Sequence, residues 1–312
     1  MNQMQRSNEN NEIKPKPGLV ISYFGNSVAV EADDGQVFQC HLRRNQELPV
    51  VGDRVTWQLE KGDTGIILEI MPRQSLLARG DHKGKMKPIA ANIDVIAIVM
   101  APPPIFSEYL VDRYLVAAEL LHIPAILVLN KVDLLDDSTK QAALARLDPY
   151  RQISYPVILS SIYINNGLDE LDKWFSNKTA VLVGPSGVGK SSIISALASH
   201  AIRIREVTTK GAGKHTTTVT RLYHLPEGGH LVDSPGVREF NLWPVSKQDV
   251  LQGFKEFQPF SNACKFRDCN HLVEPGCAVQ AAAADGKIST DRLVSYQTLL
   301  KQALLKQIDS KR

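Results

Sequence analysis

The stretch TAVLVGPSGVGKSS, residues 179–192, decides the fold. Its first five residues form an apolar run of strand character, and SSIISALASH (191–200) continues with helical spacing. Between them, Gly184-Pro185-Ser186-Gly187-Val188-Gly189-Lys190-Ser191 fits the eight-residue pattern of a phosphate-cradling loop. Glycines let the backbone N–H groups turn inward around phosphate oxygens, and the helix that follows adds its N-terminal partial charge. In that arrangement Lys190 reaches the β and γ phosphates, Ser191 ligates Mg²⁺, and Ser192 extends the cradle. The stretch predicts a nucleoside triphosphate site in an α/β fold.

Outward from the cradle, the order of the other motifs is unusual. Upstream, Asn130-Lys131-Val132-Asp133 follows the apolar run AILVL, at the end of a strand where open α/β sheets bind ligands. The Asp133 carboxylate can accept from both the ring N–H and the exocyclic amino group of guanine. Adenine has no such donor pair and would leave a buried acceptor unpaired. Lys131 is expected along the base plane, Asn130 as a tie back to the cradle, and Ser160-Ser161 as the loop backing the base. Downstream, His230-Leu231-Val232-Asp233 reads as a strand ending in Asp-x-x-Gly. Asp233 is expected to hold Mg²⁺ and the Gly236 amide to sense the γ-phosphate. The glycine-flanked segment 210–220 is a candidate switch, with Thr217 completing the Mg²⁺ shell. The usual GTPase order begins at the cradle and ends with the base motifs; here it begins with the base motif, as a circular permutation of one sheet would produce.

The rest of the chain frames this unit. At 312 residues it has room for two or three domains, and 43% hydrophobic with 22% charged residues is ordinary globular composition. A net charge of +3 does not by itself imply nucleic acid. Residues 1–17 are polar and read as a disordered tail without the apolar core of a secretory signal. The apolar run 95–106 is too short for a bilayer and broken by prolines, so a cytoplasmic protein with no membrane partner is expected. Short alternating segments across 18–80 suggest a small closed barrel, of OB-like or SH3-like type. Residues 81–243 alternate apolar runs with helix-length segments, the rhythm of a mainly parallel sheet. Residues 244–312 form a cysteine- and helix-rich tail in which Leu293, Tyr296, Leu300 and Leu304 repeat at helical spacing.

That tail contains Cys264, Cys269, His271 and Cys277 within 14 residues. Three thiolates and an imidazole complete a tetrahedral set, which predicts one closed structural zinc site. Cys40 lies far away on a strand and is expected to be a small core residue. Arg73, Arg79, Lys83, Lys85 and Lys87 cluster around Gly80 and Gly84 in what reads as a loop between barrel and sheet, suited to phosphate backbones.

Taken together, cradle, permuted motif order, barrel and cysteine tail resemble the circularly permuted ribosome-biogenesis GTPases of the RsgA (YjeQ) family, across nearly all of residues 18–312. The resemblance implies an OB-like barrel, a permuted GTPase domain and a helical zinc-binding domain. It also implies GTP/GDP as ligands and the small ribosomal subunit with its rRNA as partner, bound by a monomeric chain during late assembly and released on hydrolysis. One departure concerns mechanism: where Ras-like enzymes carry a water-orienting Gln, this chain has Val237. His215 in the switch segment is the candidate replacement, since an imidazole can orient or deprotonate water. Val237 equally suits slow turnover stimulated by a partner, or a GTP-dependent RNA-binding module with negligible hydrolysis. A P-loop kinase is disfavoured by the Asn130–Asp133 motif. Potassium activation stays open, because Gly187 stands where potassium-assisted relatives often carry Asn.

Overall fold

The computed structural model of the chain describes residues 14–25, 27–43, 46–60, 64–80, 86–102, 106–198, 220–234 and 245–309. The N-terminal strands β1 (Lys16–Tyr23), β2 (Ser27–Ala32), β3 (Val37–Leu42), β4 (Arg54–Leu59) and β5 (Thr64–Ile70) pair in the order β1-β2-β3-β5-β4. β4 then pairs back onto β1, so the five strands close into a barrel, with β3 and β5 parallel. This five-stranded closed Greek-key arrangement is the OB-like one. Trp57 fills the barrel, fully buried, with its indole N–H donating to Pro17 O at 3.1 Å and its ring 4.7 Å from Phe38. Gly65 makes room for it: a Cβ there would lie 2.7 Å from both Cys40 Sγ and the Trp57 ring. Cys40 is buried in the same core.

A two-stranded ribbon, β6 (Leu76–Gly80) with β7 (Met86–Ala91), leads to a doubly wound sheet. Its strands are β8 (Val95–Met100), β9 (Ala125–Leu129), β10 (Val157–Leu159), β11 (Thr179–Val183), β12 (Arg221–His224) and β13 (His230–Asp233), in the order β10-β9-β8-β11-β13-β12. All neighbours are parallel except β12, which runs antiparallel to β13. β8 and β9 are buried at every residue, as parallel strands covered on both faces must be. One face packs on α1 (Glu108–Leu120) and α2 (Asp137–Gln152), the other on α3 (Asp169–Phe175) and α4 (Lys190–Leu197). α2 starts where Asp136 accepts from the Thr139 N–H at 2.8 Å; that backbone bond, with side-chain bonds from Thr139 and Ser138, holds the carboxyl at about 2.

The barrel and the α/β sheet are continuous. β12 pairs antiparallel with β1 at Arg221 and Ser22, which joins both into one 11-stranded sheet. Ile21 of the barrel and Leu77 and Ile89 of the ribbon share a core with Ile96 and Ile98. The tail consists of α5 (Lys247–Gln252), α6 (Gln258–Ser261), α7 (Ala278–Ala284) and α8 (Thr290–Asp309), packed around Phe254, Phe257, Tyr296 and Leu300 and against Val116 of α1. Among the described residues no helix is long and apolar enough to cross a membrane.

Candidate functional site

The strands β8, β9, β10 and β11 end side by side, and the loops that leave them meet at one buried amide. Asn130, 3% exposed, follows β9 with its backbone N–H on Met100 O at 2.8 Å. Its Nδ2 donates to Val188 O at 2.8 Å, and its Oδ1 accepts from Ser160 Oγ at 3.0 Å. One side chain therefore ties the loops after β9, β10 and β11 together. Gly189 permits the approach: its φ is +96°, and a Cβ there would lie 2.4 Å from Asn130 Nδ2. Lys131, itself left-handed at φ +60°, reaches across the cradle so that Nζ donates to Gly187 O at 2.7 Å. Asp133 sits in a short turn, Val132–Leu134, and accepts a hydrogen bond from Ser161 Oγ.

These loops enclose a cleft of about 370 Å³, lined by Asn130, Lys131, Asp133, Ser186, Gly187, Gly189, Lys190, Ser191 and Ser192. That volume lies in the range of small-ligand pockets. Ser160, Ser161, Gly184, Pro185 and Val188 do not line it but hydrogen-bond to residues that do, and Val132 lies between Lys131 and Asp133. Lys190 opens α4, 8% exposed, with Nζ donating to Gly184 O and Pro185 O at 2.6 Å each. Asp233 ends β13, which pairs in parallel with the cradle strand β11. The next residue, the buried Ser234, accepts from Thr220 Oγ1 at 2.9 Å. His215, Thr217, Gly236 and Val237 lie outside the described residues. Sequence reasoning missed Ile162 and Tyr163, which also line the cleft. Their signal was faint, because apolar residues just after Ser160-Ser161 read as ordinary loop.

The tail brings its four metal-ligating groups together. Cys264, Cys269, His271 and Cys277 have their ligand atoms all within 4.8 Å of one another, a set able to hold a metal ion. Cys264 Sγ lies 3.9 Å from Cys277 Sγ and 3.6 Å from His271 Nδ1, with 3.3 Å between His271 Nδ1 and Cys277 Sγ. Burial, together with the neighbouring thiols, pushes the Cys269 thiol up to about 12, so a cation is what would hold this group as thiolate. Glu274 shapes the ligand loop by accepting the backbone N–H groups of Asn270, Leu272 and Val273 at 2.9–3.1 Å. Burial opposes its charge, yet these bonds prevail and lower its carboxyl to about 2. Gln297 donates to His271 O at 3.0 Å, anchoring the same loop to α8.

The basic stretch differs from its sequence reading in two ways. Within the stretch that read as a loop, Arg79 and Lys87 instead lie on the β6–β7 ribbon as cross-strand partners, both exposed, while residues 81–85 fall outside the described residues. Arg73 is not available for a phosphate. Its Nε and Nη2 donate to the buried Asp53 carboxylate at 2.7 and 2.9 Å, and its Nη1 donates to Glu47. Hydrogen bonding to Asp53 outweighs partial burial and raises the guanidinium above its ordinary range. Lys83 and Lys85 lie outside the described residues.

Comparison with known proteins finds relatives over most of the chain. Residues 70–243 match the family described as RsgA GTPase. The chain is 46% identical over 295 residues to the small ribosomal subunit biogenesis GTPase RsgA of Pseudomonas fluorescens, covering 91% of this chain and 84% of that protein. It is 44% identical over 296 residues to the protein of the same name from Dickeya dadantii, covering 92% and 85%. Among solved structures, YjeQ from Thermotoga maritima superposes with a TM-score of 0.76 at 30% identity, over 93% of this chain and 99% of that one. YloQ, described as a circularly permuted GTPase, gives 0.74 at 29% identity over 96% and 98%.

Proposed function

This chain belongs to the RsgA GTPase family, and from that premise we propose that it binds GTP in the Asn130–Ser192 cleft, hydrolyses it to GDP and phosphate, and acts in late assembly of the small ribosomal subunit, with hydrolysis controlling its release. The observation that carries the reading is the Asn130 amide, which joins the guanine motif, the Ser160-Ser161 loop and the phosphate cradle into one cleft although the chain visits them in permuted order. Asp133 reads the guanine edge, Lys190 and the cradle amides hold the phosphates, and His215 is the candidate for positioning the attacking water. The Ser191 hydroxyl and the Asp233 carboxylate are the assigned magnesium ligands, oxygen donors of the kind that this cation prefers, with Thr217 as third candidate. Magnesium supplies charge neutralisation at the β and γ phosphates. The units read from the sequence are the tail 1–17, barrel 18–80, GTPase domain 81–243 and metal-binding domain 244–312, with Lys16 and Pro17 passing from the tail to the barrel as the start of β1; the chain is assigned as monomeric and cytoplasmic, with its barrel and metal-binding domain contacting rRNA.

Zinc is the proposed metal of the tail. With Zn–S near 2.3 Å and Zn–N near 2.0–2.1 Å, a tetrahedral site separates its sulfurs by about 3.8 Å and sulfur from nitrogen by about 3.5 Å. The separations at Cys264, His271 and Cys277 fall close to these values. GTP turnover measured with purified small subunits, large subunits and neither tests the functional reading. Slow turnover alone, accelerated by small subunits only, is expected. Equal rates in all three arms would leave GTP-dependent RNA binding without partner-driven hydrolysis.

A further inference from the structure

We propose that Ser22 of the barrel is a positioning residue of the GTPase site: through Thr220 it holds Ser234, and with it the adjacent Asp233 carboxylate assigned to magnesium. The inference rests on the GTPase reading above and makes the barrel part of that site. Ser22, Arg221 and Asp233 stand in one register row across β1, β12 and β13. Ser22 Oγ donates to Thr220 O at 3.3 Å, and Thr220 Oγ1 donates to Ser234 Oγ at 2.9 Å. Two hydrogen bonds therefore lead from the barrel to the residue that follows Asp233. Ser22 and Ser234 are 7% and 4% exposed, so water competes little for either hydroxyl.

The bulge between Val20 and Ser22 makes the first link possible. Val20 packs in the barrel core and Ile21 already in the core of the α/β unit, which leaves Ser22 at the seam between them. β1 and β12 pair there at one position, Ser22 with Arg221, so the backbone ladder across the seam is short. The neighbouring Ile21, Leu222 and Val232 are buried hydrocarbon, and an apolar residue at position 22 would fill the same space without fixing Thr220. Buried hydroxyls cost desolvation and return it only in a defined geometry. Thr220 closes the candidate switch segment and Ser234 follows Asp233, so the two bonds tie both to the barrel. At the other end of β12 a separate contact, His224 Nε2 to Glu31 Oε2 at 2.6 Å, fastens the same seam. His224 stands opposite His230, at the end of β13 remote from Asp233.

Calorimetric titration of the β,γ-imido analogue of GTP into the full chain, once with magnesium and once with EDTA, provides the test. The ratio of the two affinities reports the metal site separately from the cradle and the base motif. Ser22→Ala and Thr220→Val are each expected to lower that ratio by about five-fold, with the affinity in EDTA unchanged. Because the two bonds act in series, the double variant loses no more than either single one. Thr220→Ser keeps the hydroxyl and restores the parent ratio. Glu31→Ala, which loosens the seam away from Asp233, leaves the ratio unchanged. Thermal unfolding verifies that each variant is folded at the titration temperature, and Thr220→Val tests the second link even where Ser22→Ala does not fold. A parent-like ratio in Thr220→Val overturns the proposal, as does an equal fall in Glu31→Ala or a loss of affinity that is the same in EDTA. A parent chain whose affinity does not change with magnesium overturns the metal assignment itself, a result visible before any variant is made.

Discussion

Asn130 shows how much one buried side chain can organise. Its amide uses a donor on Val188 O and an acceptor on the Ser160 hydroxyl, and it has almost no contact with water. Asn130→Ala leaves the Val188 carbonyl and the Ser160 hydroxyl without this partner, at about 1–3 kcal/mol in total. The expected outcome is GDP affinity reduced by about ten-fold or more, with the unfolding midpoint lowered in keeping with that cost, read by titration and denaturant melts. An affinity equal to that of the parent would mean that the three loops are held by other contacts. At this scale the letters of the base motif were legible because guanine demands a carboxylate there. Tyr163 and Glu274 were not, since their places depend on a loop closed at Gly167 and on a run of backbone N–H groups, which only folding brings together. Arg73 went the other way: a cation in a basic run that folding commits to Asp53.

The elements followed their sequence patterns wherever one face or two faces were uniformly buried. β8, β9 and β11 read as continuous apolar runs because the sheet is covered on both sides. β1 did not stand out, for a local reason. A bulge between Val20 and Ser22 breaks its alternation, and the strand serves β2, β4 and β12 at once. β12, with the sequence Arg221-Leu222-Tyr223-His224, has no apolar run because only Leu222 is buried. The Cys264–Cys277 loop contains no regular element, and beyond the Glu274 and Gln297 hydrogen bonds the proposed metal is expected to supply much of its stability. A strong chelator is expected to release one metal ion per chain and lower the unfolding temperature, with loss of near-ultraviolet signal from the Tyr296 environment. Elemental analysis finding no zinc, or a chelator-treated chain melting unchanged, would remove the metal from the account.

At the scale of the molecule, a buried ionic network joins the tail to the α/β unit. Arg292 on α8, 2% exposed, donates to Asp112 on α1 at 2.6 Å and to Glu256 at 2.7 and 2.9 Å. Asp112 also accepts from Tyr150 on α2 at 2.8 Å, and the guanidinium lies 4.4 Å from the Phe254 ring centre. Burial opposes the charge on Arg292, but Asp112 and Glu256 outweigh it and hold the group above its ordinary range. Arg292→Ala strands the Asp112 carboxylate in the interior and is expected to cost about 3–5 kcal/mol, read from urea unfolding. The double variant Arg292→Met, Asp112→Leu is expected to recover only part of that loss, because Glu256 and the Tyr150 hydroxyl still lack their partners; a single variant as stable as the parent would show that the tail docks by apolar contact alone. The cradle, the guanine motif, their permuted order and the Cys3His set were readable from residue order alone, because each of these chemistries demands particular residue types at short spacing. Folding was needed to reveal that barrel and sheet are continuous through β12, that Arg73 is paired, that Tyr163 lines the cleft and that Arg292 reaches Asp112. Those outcomes depend on contacts between residues up to 199 positions apart, as at Ser22 and Arg221, where no local pattern records the partner.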